Sequence, residues 1–516
     1  MSNSESFIQT INQGYTFRGE SIKLGCGMLN GEVFSAAEIR LPLKTMNRHG
    51  LIAGATGTGK TKTLQLISEG LSDASVPVLL LDIKGDLSGI AMQGSSNEKI
   101  GERIKLLNIN WKPTAYPAEL LSLSEKPGVR LRATVSEFGP VLLSKILGLN
   151  DTQSGLVALI FKYADDNKMP LLDLKDFIRL LQYISNEGKK EIEQTYGKIS
   201  TTSTGTILRK VIELQQQGAD HFFGEKSFEV DDLMRIGDDG RGLISILRVT
   251  ELQDRPKLFS TFMLQLLAEL YAKCPEEGDL DKPKLILFID EAHLIFNEAS
   301  SVLLQQIETV IKLIRSKGIG VFFCTQNPMD IPAPVLSQLG MKVQHALRAF
   351  TAADRKVIKQ AAENYPETEF YEVDDQLTQL GIGEAFVTLL NDKGIPTPLV
   401  HVMMAPPQSR MDVLNDQEVN TLIGSSKLVL KYNQVVDSES AYEILNRKLA
   451  ESQAAAADEE QQKQEEKQRE LEEKASRKTV RKEKDFFDNP VVRQAGRTAA
   501  SVIARSLLGV LFGRKR

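Results

Sequence analysis

Cysteine is scarce in this chain of 516 residues. Its three copies, Cys26, Cys274 and Cys324, are scattered, which excludes a disulfide framework and a cysteine-rich metal site. They read as small core residues in a reducing compartment. A basic excess is also missing. The net charge of -5 excludes a whole-protein basic footprint for nucleic acid and leaves room only for a local basic channel. No apolar run reaches the length of a membrane span without charge. The opening "MSNSESFIQT" lacks the basic-then-apolar pattern of a signal peptide. A cytoplasmic protein is therefore expected.

What is present fits a large globular protein. Hydrophobic residues make up 41% and charged residues 25%, enough for a sizeable core in two to four domains. Residues 1–46 are polar with short alternating pieces and read as a short N-terminal β segment. From Gly50 onward, short apolar runs alternate with helical stretches, the pattern of an α/β protein with a parallel-dominated sheet. The expected core strands are residues 50–54, 76–82, 242–248, 284–290 and 320–326. Runs at 342–348, 383–390 and 397–405 would extend the sheet at one edge. Residues 96–240 are too long and too patterned for a loop and read as a mostly helical insertion. Residues 411–450 read as a helical extension. The segment 451–485 is polar all round and lacks apolar heptad positions, so it reads as a charged linker, either a solvated helix or disordered, and not a coiled coil. Residues 486–516 read as an amphipathic C-terminal helix, too short to span a membrane and suited to docking on a partner.

One stretch carries the strongest chemical signal. Gly54-Ala55-Thr56-Gly57-Thr58-Gly59-Lys60-Thr61 fits GxxxxGK[ST] between an apolar strand and a helix. The glycines let backbone N–H groups turn inward toward phosphate oxygens, and the helix that follows presents its positive end there. Lys60 would reach the outer phosphates and Thr61 would ligate Mg²⁺. A dinucleotide fingerprint fails, because Lys62 stands where its last glycine belongs.

A second signal is "LILFIDEAH", an apolar strand ending in Asp290-Glu291. Asp290 would hold the water shell of Mg²⁺, and Glu291 would orient an attacking water. The plain alternative is two acids opening a helix. A water-orienting carboxylate favours ATP hydrolysis over transfer to another acceptor. "VFFCTQNP" places Gln326 at another strand tip, either as a γ-phosphate sensor or as a cap on the turn before Pro328. Hydrolysis also needs further positive charge, for which Arg348 and Arg315 are the candidates, Arg348 ahead. Such an arginine finger usually comes from a neighbouring subunit. Asp82 and Asp86 in "LDIKGDLSGI" read first as turn caps beside the loop.

The blocks "NRHGLIAGATGTGKT", "DIKGDLSGI", "GRGLISIL", "LFIDEAHLIF", "IRSKGIGVFFCTQNPMDIP" and "QLGMKVQHALRAFT" closely resemble the bacterial YjgR-type P-loop ATPases. That group is related to the C-terminal part of the helicase HerA, within the HerA–FtsK group. The resemblance runs from about Asn47 to Arg410. It implies a RecA-like P-loop NTPase core at 47–95 and 241–410, ATP and Mg²⁺ as cofactors, and a homo-oligomer, expected as a hexameric ring, that acts on double-stranded DNA. By motif it carries the loop roles to Lys60 and Thr61, the metal and water roles to Asp290 and Glu291, and the sensor role to Gln326. HerA begins with a β-barrel that contacts a nuclease, whereas only 53 residues precede the motif here. Two functions follow as expectations: a ring-forming DNA translocase or helicase, and an ATPase that remodels an unknown protein partner through its C-terminal tail. A nucleotide-dependent binding module without turnover ranks below both, since every catalytic residue type is present.

Overall fold

Twelve strands form one continuous sheet in the computed structural model of the chain, which describes residues 3–250, 255–278, 280–297, 301–434, 436–487, 490–491 and 494. The chain divides into two units, Met1–Tyr442 and Glu443–Arg516.

In the first unit, α1 (Asn3–Gly14) precedes a hairpin of β1 (Ser21–Leu29) and β2 (Glu32–Pro42). Next come β3 (Gly50–Ala53), α2 (Lys60–Asp73), β4 (Val78–Asp82) and α3 (Glu98–Leu107). Two short strands, β5 (Ala118–Ser122) and β6 (Val129–Arg130), lead into α4 (Val135–Ile146), α5 (Asp151–Asp166), α6 (Leu174–Ser185), α7 (Lys189–Tyr196) and α8 (Thr201–Gln216). The chain returns through β7 (Ile244–Arg248), α9 (Pro256–Lys273), β8 (Leu285–Ile289), β9 (Ile319–Thr325), β10 (Met341–His345), β11 (Glu384–Thr388) and β12 (Val400–Met404).

The strand order is β2-β1-β12-β11-β10-β3-β9-β8-β4-β7-β5-β6. From β10 to β6 every pairing is parallel; from β10 back to β2 every pairing is antiparallel. The central strands explain themselves. VLLLD, LILFI and IGVFFCT are buried at every residue, as parallel strands covered on both faces must be. All eight expected strands form, with ends shifted by a few residues. The strand β9 stands between the P-loop strand β3 and the acid strand β8.

Three features lie beyond the sequence expectations. Residues 1–46 are not a separate β segment in space: β1 pairs with β12, with Gly25 opposite Met404, so the hairpin extends the main sheet. A Cβ at Gly25 would sit 2.0 Å from Met403 O, so only glycine allows that approach. The helix α1 was not foreseen. It buries Phe7 and Ile11, with the Phe7 ring edge-on to Phe34, Phe370 and Tyr371. The segment 96–240 also contributes β5 and β6, with Ala118 opposite Ile244 on β7. Three of its six α-helices start with the capping pairs their sequences provide. Thr134/Glu137, Asn150/Gln153 and Asp173/Asp176 form capping boxes, and α6 buries Leu174, Phe177, Leu180, Leu181 and Ile184 along one face.

The second unit holds most of the helix Ala441–Phe487. Residues 451–475 are exposed throughout, including Leu471, so no apolar seam exists there. Lys463–Glu459 and Lys474–Glu470 pair one turn apart, each contributing a few tenths of a kcal/mol, roughly. The amphipathic helix expected at 486–516 lies largely outside the described residues. No described helix is long and apolar enough to cross a membrane.

Candidate nucleotide site

The glycine-rich turn joins the end of β3 to the start of α2, at the edge where the parallel strands end. Gly54, Gly57 and Gly59 have φ of +151°, +78° and +119°, which side chains avoid. The loop is pinned to the strands beside it: Gly54 N donates to Thr325 O (3.2 Å) and Ala55 N to Ala346 O (2.8 Å). Gly383 N donates to Thr58 O at 2.9 Å, and a Cβ at Gly59 would meet Gly383 Cα at 3.1 Å.

A residue the sequence reading passed over backs this turn. His345 ends β10 and is fully buried. Its Nδ1 stands 2.8 Å from Glu384 O, so that nitrogen carries the proton. Nε2, 2.9 Å from Thr63 Oγ1, therefore accepts from the hydroxyl. Burial lowers its pKa to about 4 and keeps the ring neutral. The available signal was a histidine closing a short strand, MKVQH, just before the apolar Ala346-Leu347.

Lys60 is buried and curls back over the loop. Its Nζ donates to Gly54 O (2.6 Å) and Ala55 O (3.3 Å). Burial lowers its pKa and nearby Lys84 adds to this, while Glu291 and Asp290 oppose it.

Two strands away, β8 delivers the acid pair. Asp290 N donates to Leu81 O at 3.3 Å, which fixes the strand tip beside β4. Burial, and then the charge of Glu291, raises the Asp290 pKa to about 7. Thr61 Oγ1 donates to Asp86 Oδ2 at 3.3 Å. Asp290 Oδ2 and Asp86 Oδ1 are buried without a hydrogen-bond partner. The orphaned Asp86 oxygen beside the Thr61 hydroxyl, with the orphaned Asp290 oxygen at the tip of the strand paired with β4, fits a hydrated Mg²⁺, which keeps several waters and takes few protein ligands. Asp82 does something else. It accepts from the N–H groups of Gly85 (2.7 Å), Asp86 (3.2 Å) and Leu87 (3.1 Å), the turn-capping role read from the sequence.

Glu291 is buried at φ +45°, a strained conformation for a glutamate. Lys84 Nζ is ion-paired with it, and His293 Nδ1 lies 3.3 Å from Oε2. Gln326 Nε2 points at the same oxygen from the end of β9, at 3.5 Å. The turn at Pro328 is capped by other residues: Asn327 Oδ1 accepts from Met329 N (3.0 Å), and Asp330 Oδ2 accepts from Asn327 N (3.3 Å).

The two arginines occupy different edges. Arg348 is exposed just beyond Ala346, the residue that holds Ala55, and its guanidinium donates to Thr378 O at 3.1 Å. Arg315 precedes β9, so roughly 20 Å of strand separates it from the loop edge of its own chain.

Beside the loop lies a cavity of about 440 Å³. Gly59, Lys62, Thr63, Ile100, Leu106 and Met404 are among its lining residues. Its apolar floor is held by Arg103, whose guanidinium donates to the carbonyls of Ile382 (2.9 Å), Gly383 (3.1 Å) and Met404 (3.2 Å).

Comparison with known proteins agrees with this layout. The family described as "Helicase HerA-like C-terminal" matches residues 29–516. The DNA double-strand break repair helicase HerA of Sulfurisphaera tokodaii is 22% identical over 364 residues, covering 68% of this chain and 64% of the relative. The protein of the same description from Sulfolobus acidocaldarius is also 22% identical, over 362 residues, with the same coverage. The chain thus spans under two thirds of the length of these relatives. Among solved structures, the bacterial conjugative coupling protein TrwB superposes with a TM-score of 0.51 at 12% identity, covering 79% of this chain and 94% of TrwB. TrwB in complex with ADP and Mg²⁺ gives 0.50 at 13% identity, covering 78% and 98%. At such identity the likeness is one of fold.

Proposed function

The chain belongs to the HerA-like helicase C-terminal family, and from that premise we propose that it is a cytoplasmic, Mg²⁺-dependent ATP hydrolase that assembles as a ring, expected as a hexamer, and translocates double-stranded DNA. The observation that carries the ATPase reading is the convergence of four groups at one edge of the sheet. The inward-curled loop at 54–61, the Thr61–Asp86 contact, the orphaned Asp290 oxygen and Glu291 all meet there.

The loop amides and Lys60 bind the phosphates. Thr61 and Asp290 would hold Mg²⁺, with Asp86 orienting Thr61. Mg²⁺, when bound, neutralises charge developing on the transferred phosphoryl group. Glu291 orients the attacking water and takes its proton, and Gln326 reports the γ-phosphate to β9. The apolar cavity at Ile100 and Met404 takes the base. Arg348, at the loop edge, is the favoured finger for a neighbouring subunit's site. Arg315, at the opposite edge, could serve only in trans.

DNA translocation rests on the family and on relatives whose name is that of a DNA repair helicase. A second reading, an ATPase that remodels a protein partner through the C-terminal tail, is favoured by the acidic net charge. The discriminating experiment is ATPase rate with and without linear duplex DNA, run beside a mass measurement in nucleotide. Stimulation that falls steeply with salt supports translocation. A rate indifferent to DNA removes it and leaves the protein-remodelling function.

A further inference from the structure

The ammonium of Lys84 sits on the carboxylate that the proposed reaction needs as its base. Lys84 lies in the turn after β4, inside the stretch Ile83-Lys84-Gly85-Asp86. Asp82 fixes that turn through three backbone N–H groups, so the backbone that presents Lys84 is rigid. The ion pair is unequal. Glu291 is 5% exposed and Lys84 is 32% exposed, so the lysine reaches down from the solvent side of the cleft. Lys84 also adds to the burial that depresses the pKa of Lys60, so the two ammonium groups lie within electrostatic reach of each other. An anion held at the loop beside Lys60 would attract the Lys84 ammonium as well.

We propose that Lys84 is a γ-phosphate ligand supplied within the same chain, and that its ion pair with Glu291 is the resting state of a switch. The inference rests on the ATPase reading above. Without a triphosphate, Lys84 neutralises Glu291 and holds it away from water. When a triphosphate enters, its terminal oxygens offer more negative charge than one carboxylate, and Lys84 moves to them. Glu291 is then released and accepts a hydrogen bond from the attacking water. In the step itself the water oxygen bonds to the γ-phosphorus as the bond to the β–γ bridging oxygen breaks. The electron pair leaves with ADP, the water proton goes to Glu291, and Lys84 stabilises the charge on the phosphoryl oxygens. A diphosphate has no terminal group for Lys84 to take, so the ion pair re-forms and the base is shut off after each turnover.

The test compares full-length wild type, Lys84→Ala, Lys84→Arg, Glu291→Gln and the double variant Lys84→Ala/Glu291→Gln. Affinities for MgADP and a non-hydrolysable MgATP analogue are measured, and single-turnover hydrolysis where a base remains. Lys84→Ala is expected to keep ADP affinity and lose about tenfold in affinity for the triphosphate analogue. Its single-turnover rate should fall about 10²-fold, and Lys84→Arg should recover part of both losses. Glu291→Gln releases Lys84 in the resting state, so it should bind the triphosphate more tightly than wild type. That gain should vanish in the double variant. Equal loss of ADP and ATP-analogue affinity in Lys84→Ala, or a wild-type rate, overturns the proposal and leaves a structural ion pair. If wild type binds and hydrolyses ATP while the Lys84 variants match it, only this inference fails. If wild type binds neither nucleotide, the ATPase reading fails with it.

Discussion

Thr61 Oγ1 donates to Asp86 Oδ2 at 3.3 Å, joining the first turn of α2 to the loop after β4. Under the proposed function, that contact makes Asp86 the orienting partner of Thr61, the proposed metal ligand. The other Asp86 oxygen is buried without a hydrogen-bond partner. Asp86→Asn should therefore raise the Mg²⁺ concentration needed for half-maximal ATPase about tenfold. Asp82→Asn should disturb the turn instead and lower thermal stability, since three N–H donors would then face an amide. Magnesium titrations and melting curves of the two variants separate the roles.

Lys60→Ala and Glu291→Gln should fail in different ways. Lys60→Ala removes the ammonium that now bridges Gly54 O and Ala55 O, so nucleotide affinity should collapse. Glu291→Gln should still bind MgATP and lose hydrolysis by about 10²-fold or more. Equilibrium binding of a labelled ATP analogue, beside phosphate release, checks both.

Much of this site was legible because its parts are local. A fully apolar strand announces itself, and so does a glycine turn between strand and helix. The pair Asp290-Glu291 closes an unbroken apolar run. What stayed hidden depends on pairing across the fold. β5 is five residues long and becomes a strand only because β7 offers an open edge. The helix α1 has little apolar surface of its own and is held by aromatic rings that arrive more than three hundred residues later. His345 and Lys84 gain meaning only when β10 and β4 lie on either side of the loop and acid strands. "DIKGD" did offer a cue, a lysine between two acids at a strand tip.

Glu69 should give the fold a distinct pH signature. It lies on α2, buried, and accepts from Gln408 N (2.8 Å), Ser409 N (3.0 Å) and the Ser409 hydroxyl. Burial still dominates and raises its pKa to about 7 from 4.5. The folded state then binds a proton more readily than the unfolded one between these values, so stability falls as pH rises through that window. The full effect is at most about 3 kcal/mol. Glu69→Gln should flatten the pH 5–7 slope of the denaturation midpoint, measured in urea.

The cavity beside Gly59 makes a prediction about substrate binding without chemistry. Leu106 lines it from the outer end of α3 and is 53% exposed, so a larger residue there can enter the cavity without disturbing the core. Leu106→Trp should raise the KM for ATP about tenfold and leave kcat unchanged, because base contacts are the same in ground and transition states. Steady-state kinetics in ATP and in an analogue with a smaller base would show the split.

Arg348 can be tested as a finger from a neighbour by mixing two inactive proteins. Arg348→Ala subunits retain an intact phosphate loop and acid pair, while Lys60→Ala subunits retain Arg348. If the arginine completes the next subunit's site, an Arg348→Ala site that faces a Lys60→Ala neighbour has every part it needs. The mixed assembly should then hydrolyse ATP although neither pure protein does. An arginine acting only on its own chain gives no recovery at any ratio, because each subunit still lacks one essential group. Repeating the mixture with Arg315→Ala in place of Arg348→Ala assigns the finger between the two edges of the sheet, since only the variant lacking the true finger shows both loss alone and rescue when mixed.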